Sequence, residues 1–552
     1  MASPASPLSF TPPDFTTQHW HLAKPAARGR RGMVASQSRA AAEAGLAVLE
    51  AGGNAADAAA ATALALAALE PWNSGLGGIG FAVIHRAGSP TAEVLDFGPV
   101  APAASDPADY PLTGRMKQDL FAWPEVEGDR NIHGPLSFVI PSAVAGYGTL
   151  AERFGSGMAW ADLVAPAIAL ARRGLPQDWF TTLKIANSAK VLRLYPESAR
   201  IYLPDGLPPV APYQGKPGFF RLGRLPETLE RLGAAGWRDF YEGEVAASIA
   251  ADVAAMGGRL SLDDLRGCRA VVRPALSIPW RGRYTLQGAG GLTAAPTLAR
   301  VVAAMEATTP GAAPDATWFA ALASAMRRAY AERLEGLGAG TVAHEATPPQ
   351  STPPEPAETC TTHLTVVDAA GNMVAMTTTL LSSMGSRVVL PGSGVLMNNG
   401  MMWFDPQPGS ANAIRPGARP LCNMCPVTVS DGAGPVVGPV VGPMLAAGAS
   451  GGRRILASVY QSLAFALDFG MAVEEVAHHP RIDVSGPDGA TADRRLPPAV
   501  LAALEAQGGL QIVEHAVLPV NFACPNLILR EGDGHAGISD AMSPWSAALA
   551  LT

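Results

Sequence analysis

The sequence predicts an α+β protein, and three observations lead there. Alanine-rich stretches of helical period fill the first two thirds, while runs of β-prone residues cluster after Thr361. With 48% hydrophobic and 16% charged residues in a chain of 552, there is ample material for a large buried core. Length alone permits three or four domains.

Taken in chain order, the first 32 residues are rich in Ser, Pro and Thr and lack the apolar run of about 7 to 15 residues that a secretory signal needs. The expectation is a cytoplasmic protein that begins with a flexible segment, 1–31, in which Arg28 to Arg31 are solvated. Amphipathic helices are expected at 40–50, 143–154, 161–173, 226–232, 244–256, 298–306 and 316–334. The apolar run 58–69 is shorter than the roughly 20 residues of a membrane span and follows Asp57, so it reads as a buried helix capped by Asn54 and stopped before Pro71. Gly75, Gly77 and Gly80 satisfy G-x-G-x-x-G, but a helix precedes them and a strand follows, the reverse of a dinucleotide site. Their expected role is tight packing where helix meets sheet. A Pro-rich linker spans 340–360, and the repeated Pro-Val-Val-Gly within 434–442 reads as a local duplication in a β-turn segment.

The run Thr361, Thr362, His363, Leu364, Thr365, Val366, Val367, Asp368 reads as a strand whose first residue becomes a new N-terminus if the chain is cut after Cys360. A threonine so placed supplies nucleophile and base together, since its freed α-amine, with an ordinary pKa of about 8, takes the hydroxyl proton. Asp368 to Asn372 carry turn chemistry and Met373 to Leu380 resume a strand, so a three-residue loop sets Thr379 opposite Thr361, with Cβ atoms about 4.5 to 5.5 Å apart. A bulge at Gly371 would shift that register by one residue. The plainer alternative is a half-buried, threonine-rich sheet without catalytic purpose. His363 shares the face of Thr361 and is assigned a structural hydrogen-bonding role, because the freed amine already supplies a base.

The remaining composition narrows the classes. A net charge of −7 argues against nucleic acid as a partner. Five cysteines, Cys268, Cys360, Cys422, Cys425 and Cys524, form neither a disulfide framework nor a metal cluster, and the lone C-x-x-C at Cys422 and Cys425 lacks a second ligand pair. No cofactor, metal or membrane partner is expected. His478 and His479 end a helix, where a role complementing its dipole suffices.

The segment from Thr361 to Asp368, with Gly371-Asn372 and Thr377 to Thr379, resembles the nucleophile region of the γ-glutamyltranspeptidase family of N-terminal nucleophile hydrolases. Other blocks resemble it in the same order: Gly32-Met33-Val34-Ala35-Ser36, Gly52-Gly53-Asn54-Ala55, Ser74 to Gly78, Pro141 to Gly146, Arg419-Pro420-Leu421 and Ser450-Gly451-Gly452-Arg453. Several separated motifs in fixed order are more specific than any one alone. The resemblance implies one compact four-layer αββα sandwich and a precursor that cuts itself between Cys360 and Thr361. The products would be a large subunit, 1–360, and a small one, 361–552, held together as a heterodimer. It further implies that Thr361 is the nucleophile, that Thr379 bonds to it, and that the backbone N–H groups of Gly451 and Gly452 form the oxyanion hole.

Departures from the family's pattern bear on the substrate. The arginine expected after Leu95-Asp96-Phe97 is Gly98, the paired serines after Arg-Pro-Leu are Cys422 and Asn423, and the asparagine two residues beyond the second threonine is Leu381. Gly400 and Trp403 stand where a glutamine and an aspartate would bind an α-ammonium. Each charge-assisted hydrogen bond contributes roughly 1.5 to 3 kcal/mol, so their joint loss weakens γ-glutamyl recognition several hundredfold or more. Leu381, Met401, Met402 and Trp403 would instead form an apolar wall, unless Arg387 or Arg415 replaces the anchor. The resemblance thus implies an autoprocessed hydrolase or acyltransferase of a small-molecule amide whose acyl group is not γ-glutamyl. Oxamate-amidohydrolase-like and cephalosporin-acylase-like activities are the specific cases, the methionines and Trp403 leaning to the second. A conventional γ-glutamyltranspeptidase or glutathione hydrolase with a rearranged anchor, and a non-catalytic paralogue, are the alternatives.

Overall fold

The computed structural model describes residues 20, 22–117, 121, 123–336, 360–432, 442–486 and 489–552. Its centre is a pair of seven-stranded sheets. One has the order Ala547–Leu551, Gly32–Ser36, Thr362–Asp368, Met373–Thr379, Ile79–His85, Glu93–Phe97, Val271–Pro274. The other runs Ala27–Gly29, Gly534–Ser539, Cys524–Glu531, Pro443–Ser450, Val427–Asp431, Tyr284–Gly288, Leu276–Trp280. Helices Arg39–Glu50 and Ala55–Leu69 cover the outer face of the first sheet, and Ala295–Met305 and Ile455–Leu467 that of the second. The result is the expected αββα layering. Both sheets combine strands from before and after the 360–361 bond, so neither part could keep its core alone.

The helix Ala55–Leu69 shows why this sequence layers so closely. All fifteen of its residues are buried, and ten are alanines that let neighbouring helices and the sheet approach from every side. Its start is fixed by a reciprocal cap in which the Asn54 side chain accepts from the N–H groups of Ala56 and Asp57 while Asp57 accepts from the Asn54 N–H at 3.0 Å. Asp368 adds a long-range tie. One of its oxygens closes the hairpin by accepting from the Ala370 and Asn372 N–H groups, and the other accepts from the Ala55 N–H at 3.0 Å. The hairpin of Thr362–Asp368 and Met373–Thr379 is thereby pinned to the buried helix.

Between the sheets the side chains are few and compact: Met33, Ala35, Val367, Met373, Ala375, Ala446 and Ile528. His363 lies here too, fully buried, its two ring nitrogens 2.9 and 3.1 Å from the Thr377 and Thr365 hydroxyls. It fits because Gly448 on the facing strand has no side chain; a Cβ there would enter the imidazole ring. Burial holds the imidazole neutral, with its pKa pushed down to about 3. The structural role expected of His363 is the one it has.

Most expected helices lie within a few residues of the observed ones, and Gly77 and Gly80 do sit where backbone approaches backbone, at Leu396 and Thr377. Six of the described helices were not anticipated: the short Pro196–Tyr202, Asp239–Glu242, Leu262–Gly267 and Pro498–Glu505, and the longer Trp179–Leu192 and Ile455–Leu467. Of the two longer ones, the second is buried over nearly its whole length, so its apolar residues show no one-sided period. The solvated arm expected at 28–31 requires correction at its start: Ala27–Gly29 is an edge strand, and Arg28 pairs with Glu474 and Glu531. Residues 1–19, 340–359 and 434–441, which carry the expected flexible segment, linker and local duplication, lie outside the described residues. Among the described residues no helix is long and apolar enough to cross a membrane.

Two outcomes follow from the packing around His363. Gly448→Val overpacks the inter-sheet layer and is expected to lower stability by at least about 1 to 3 kcal/mol, read from denaturant midpoints. Because the folded-state pKa of His363 lies below its unfolded value of about 6.5, the unfolded chain takes up the proton first on acidification. The contribution of neutral His363 is therefore complete above about pH 6.5 and lost as the pH falls toward 3, so His363→Gln should flatten the fall of stability across that window.

Candidate active site

The strand Thr362–Asp368 carries Thr361 at its leading end, and the hairpin register pairs Thr362 with Thr378 without a bulge. One step further, Thr361 faces Thr379, their hydroxyl oxygens 3.2 Å apart. Thr379 Oγ1 donates to the Cys360 carbonyl at 2.8 Å, and the Thr361 hydroxyl lies against that same carbonyl. The Leu381 N–H donates to Thr379 Oγ1 at 2.8 Å, which leaves the Thr379 proton directed at the carbonyl. To aim that N–H, Leu381 takes a φ of 89°, a left-handed conformation that costs a leucine roughly 1 to 3 kcal/mol. Both Cys360 and Thr361 are buried.

The loop that follows the buried helix borders this bond. The Cys360 thiol contacts the Trp72 carbonyl, and the Leu380 N–H donates to the Asn73 carbonyl at 3.0 Å. Glu70, also buried, accepts from the Asn73 amide at 3.2 Å, and desolvation pushes its carboxyl up to about 7. Asn73 reaches the Gln37 side chain, which in turn bonds to the Ser450 hydroxyl. A polar chain thus joins the Thr361 end of the sheet to the turn after strand Pro443–Ser450.

That turn contains Gly451 and Gly452. Ala446 shares the inter-sheet layer with Val367 and Gly448 meets His363, so following the strand onward brings Ser450 and Gly451 to the end where Thr361 lies. Gly451 has a φ of 141° and Gly452 of 62°, and a Cβ on Gly451 would fall 2.8 Å from the Ala523 Cα. Only glycine satisfies both demands. The helix Ile455–Leu467 follows at once.

The residues expected to meet substrate converge from separate loops. Leu381, Trp403 and Cys422 share one apolar cluster with Phe81, Phe121, Val139, Met401 and Met402. Gly400 packs against Val139 of that cluster, where any side chain would collide, and its N–H donates to the Asn398 side chain at 2.9 Å. Asn423 follows Cys422 and is nearly buried. Gly98 lies against the Phe81 ring, with its N–H on Asp96.

Neither arginine considered as a substitute anchor stands beside Gly98. Arg415 is exposed, and Arg387 is tied into the turn after Leu381 through the Ser382 hydroxyl at 2.6 Å. The arginine at Gly98 is Arg419, whose Nη2 would lie 2.7 Å from a Cβ on that glycine and which pairs with Asp96, as does Arg273 at 3.3 Å. Arg-Pro-Leu and Leu-Asp-Phe were both legible as motifs, but their mutual ion pair was not. Sequence reasoning also passed over Tyr330 and Arg333, which sit inside an alanine-rich helix and reach Arg453 and Cys422. Burial raises the Cys422 and Cys425 thiols to about 11 and about 12, so both stay protonated at neutral pH. Among the described residues no group of three His, Cys, Asp or Glu is gathered as a metal site.

Comparison with known proteins gives the family and the fold. The family model described as Gamma-glutamyltranspeptidase matches residues 41–348 and 339–550. The glutathione hydrolase proenzyme of Escherichia coli (strain K12) is 30% identical over 530 residues, covering 87% of this chain and 86% of the relative. The Acylase ACY 1 proenzyme of Pseudomonas sp. (strain V22) is 28% identical over 523 residues, 90% of this chain and 89% of the relative. Among solved structures, a cephalosporin acylase from Bacillus halodurans has the same fold with a TM-score of 0.81 at 23% identity, covering 99% of this chain and all of the other. Spanned by the family model and related along nearly its full length to that Escherichia coli enzyme, the chain belongs to the γ-glutamyltranspeptidase family of N-terminal nucleophile hydrolases.

Proposed function

We propose that this member of the family is a self-cleaving precursor whose mature form hydrolyses or transfers the acyl group of an amide through an ester on Thr361, and that the acyl group is not γ-glutamyl. The observation that carries the reading is the Cys360 carbonyl, contacted by the Thr361 hydroxyl and bonded by Thr379 at 2.8 Å. In the first event, Thr361 Oγ1 attacks that carbonyl carbon while Thr379 donates to its oxygen as negative charge develops. The C–N bond breaks, the nitrogen keeps the proton it gains, and the acyl group moves to Oγ1; water then hydrolyses the ester. Two chains result, 1–360 and 361–552.

In turnover the freed amine of Thr361 takes the place of an external base. Its ordinary pKa of about 8 leaves enough neutral amine near pH 7 to accept the hydroxyl proton and later return it to the leaving amine. His363 is excluded as base, since both ring nitrogens are engaged by threonine hydroxyls. The N–H groups of Gly451 and Gly452, at the nucleophile's end of the strand, would receive the oxyanion. An ester then resolves with water or an amine acceptor.

The acyl preference rests on the apolar cluster of Leu381, Trp403, Cys422 and Phe121 and on Gly98, where Arg419 is engaged by Asp96, which it shares with Arg273, and fills space beside the glycine. An amino acid's two charged ends would find few partners there, and an apolar acyl group would lose little by leaving water. Similarity to proteins named acylase points the same way. The glutathione hydrolase relative supports the competing assignment, which a substrate panel resolves.

Thr361→Ala should leave a single uncut chain of 56.8 kDa on a denaturing gel, and Thr379→Val should slow cutting by roughly 10²- to 10³-fold, the usual effect of losing one oxyanion donor. With the processed wild type, anilides of apolar acids should release aniline at least about 100-fold faster, in kcat/KM, than the γ-glutamyl anilide, a margin of about 2.7 kcal/mol. A γ-glutamyl preference would return the enzyme to conventional transpeptidation.

A further inference from the structure

The helix Ala316–Gly336 precedes the cleavage bond in sequence, and two of its buried side chains point at the two loops of the site. Tyr330 and Arg333 lie three residues apart and therefore on one face. The Tyr330 hydroxyl donates to the carbonyl of Arg453, next to Gly452. Arg333 donates through Nη2 to the carbonyl of Cys422 at 2.6 Å and through Nη1 to the carbonyl of Thr293 at 2.8 Å, with the Thr297 hydroxyl at 3.3 Å.

Arg333 is 3% exposed, and among the described residues its guanidinium meets carbonyl and hydroxyl oxygens. A buried guanidinium answered by carbonyl and hydroxyl oxygens carries a desolvation cost that a methionine of similar volume would avoid. Its planar fork, however, fixes two carbonyls from different loops at once, which an ammonium or an apolar chain does not. Tyr330 is likewise buried to 2% exposure with its one polar atom spent on the glycine turn. The helix is thus bonded at one end of the site to the substrate-contact loop and at the other to the proposed oxyanion turn, both of which follow residue 361 in sequence.

We infer that Tyr330 and Arg333 are positioning residues that divide the site between them, Tyr330 setting the oxyanion turn and Arg333 setting the acyl-contact loop at Cys422 and Asn423. The inference rests on the proposed roles of those two loops. The large chain thereby continues to shape the active site after the bond at 360–361 is cut. Misplacing oxyanion donors acts on the transition state and lowers kcat, whereas misplacing a loop that holds the acyl group in ground and transition state alike raises KM.

The test uses the full-length protein carrying Tyr330→Phe or Arg333→Met, with Arg333→Lys as a milder variant should Arg333→Met fold poorly. Hydrogen–deuterium exchange reads the links without turnover: exchange should quicken at 451–455 in Tyr330→Phe and at 421–425 in the Arg333 variants, each with little change in the other loop. On the substrate that wild type hydrolyses best, Tyr330→Phe should lower kcat about tenfold with KM within about twofold, and Arg333→Met should raise KM about tenfold with the smaller effect on kcat. Unchanged exchange in both loops, or the same kinetic pattern from both variants, would overturn the division of roles. Thr361→Ala run alongside separates the two levels: a Thr361→Ala protein that still cuts itself refutes the nucleophile assignment, while the exchange result still decides the links.

Discussion

One contact organises the rest: a peptide carbonyl held against two threonine hydroxyls. The carbonyl of Cys360 meets Thr361 because they are neighbours, but it meets Thr379 only because the hairpin 362–368 and 373–379 pairs in one register. A slip of one residue would turn Thr379 to the opposite face of the sheet. The three-residue turn closed by Asp368 sets that register, and the same carboxylate binds the first N–H of the buried helix. The chemistry at one end of the strand therefore depends on polar contacts at the other.

The second dependence is closeness of the two sheets. Three alanines, two methionines, Val367 and Ile528 separate them at the centre, and Gly448 gives His363 its space. That closeness brings the turn at Gly451 and Gly452 to the Thr361 end of its strand although the two are far apart in sequence. The polar chain through Glu70, Asn73, Gln37 and Ser450 crosses the same gap beside the Cys360–Thr361 bond. Leu381 bears backbone strain at this site, its left-handed φ aiming its N–H at Thr379.

Much of this was legible in the sequence because it is local. The hairpin pairing of Thr361 with Thr379 followed from turn chemistry and alternation, and the cap at Asn54 followed from residue type and spacing. Gly77 and Gly80 were correctly read as a packing device because the order of helix and strand excluded a nucleotide loop, whereas Gly75 has room beside it. What was not legible is long-range. The Asp96–Arg419 pair joins two motifs whose side chains meet only after folding, so the reading named Arg387 and Arg415 and overlooked the arginine inside a motif already quoted. Tyr330 and Arg333 fall on the inner stripe of a helix whose period was read, but the carbonyls they bond come from loops far away in sequence, which no local pattern names. The edge strand at 27–29 was masked by charged residues, which suit an exposed sheet edge as well as a free arm.

The central claim is that the bond before Thr361 is broken by the side chain of Thr361 itself. N-terminal sequencing of the smaller chain in purified, active protein is the most direct measurement of it. A fragment that begins Thr-Thr-His-Leu-Thr is the expected result. Active protein that yields only the original N-terminus, or a fragment starting at any other residue, would contradict it.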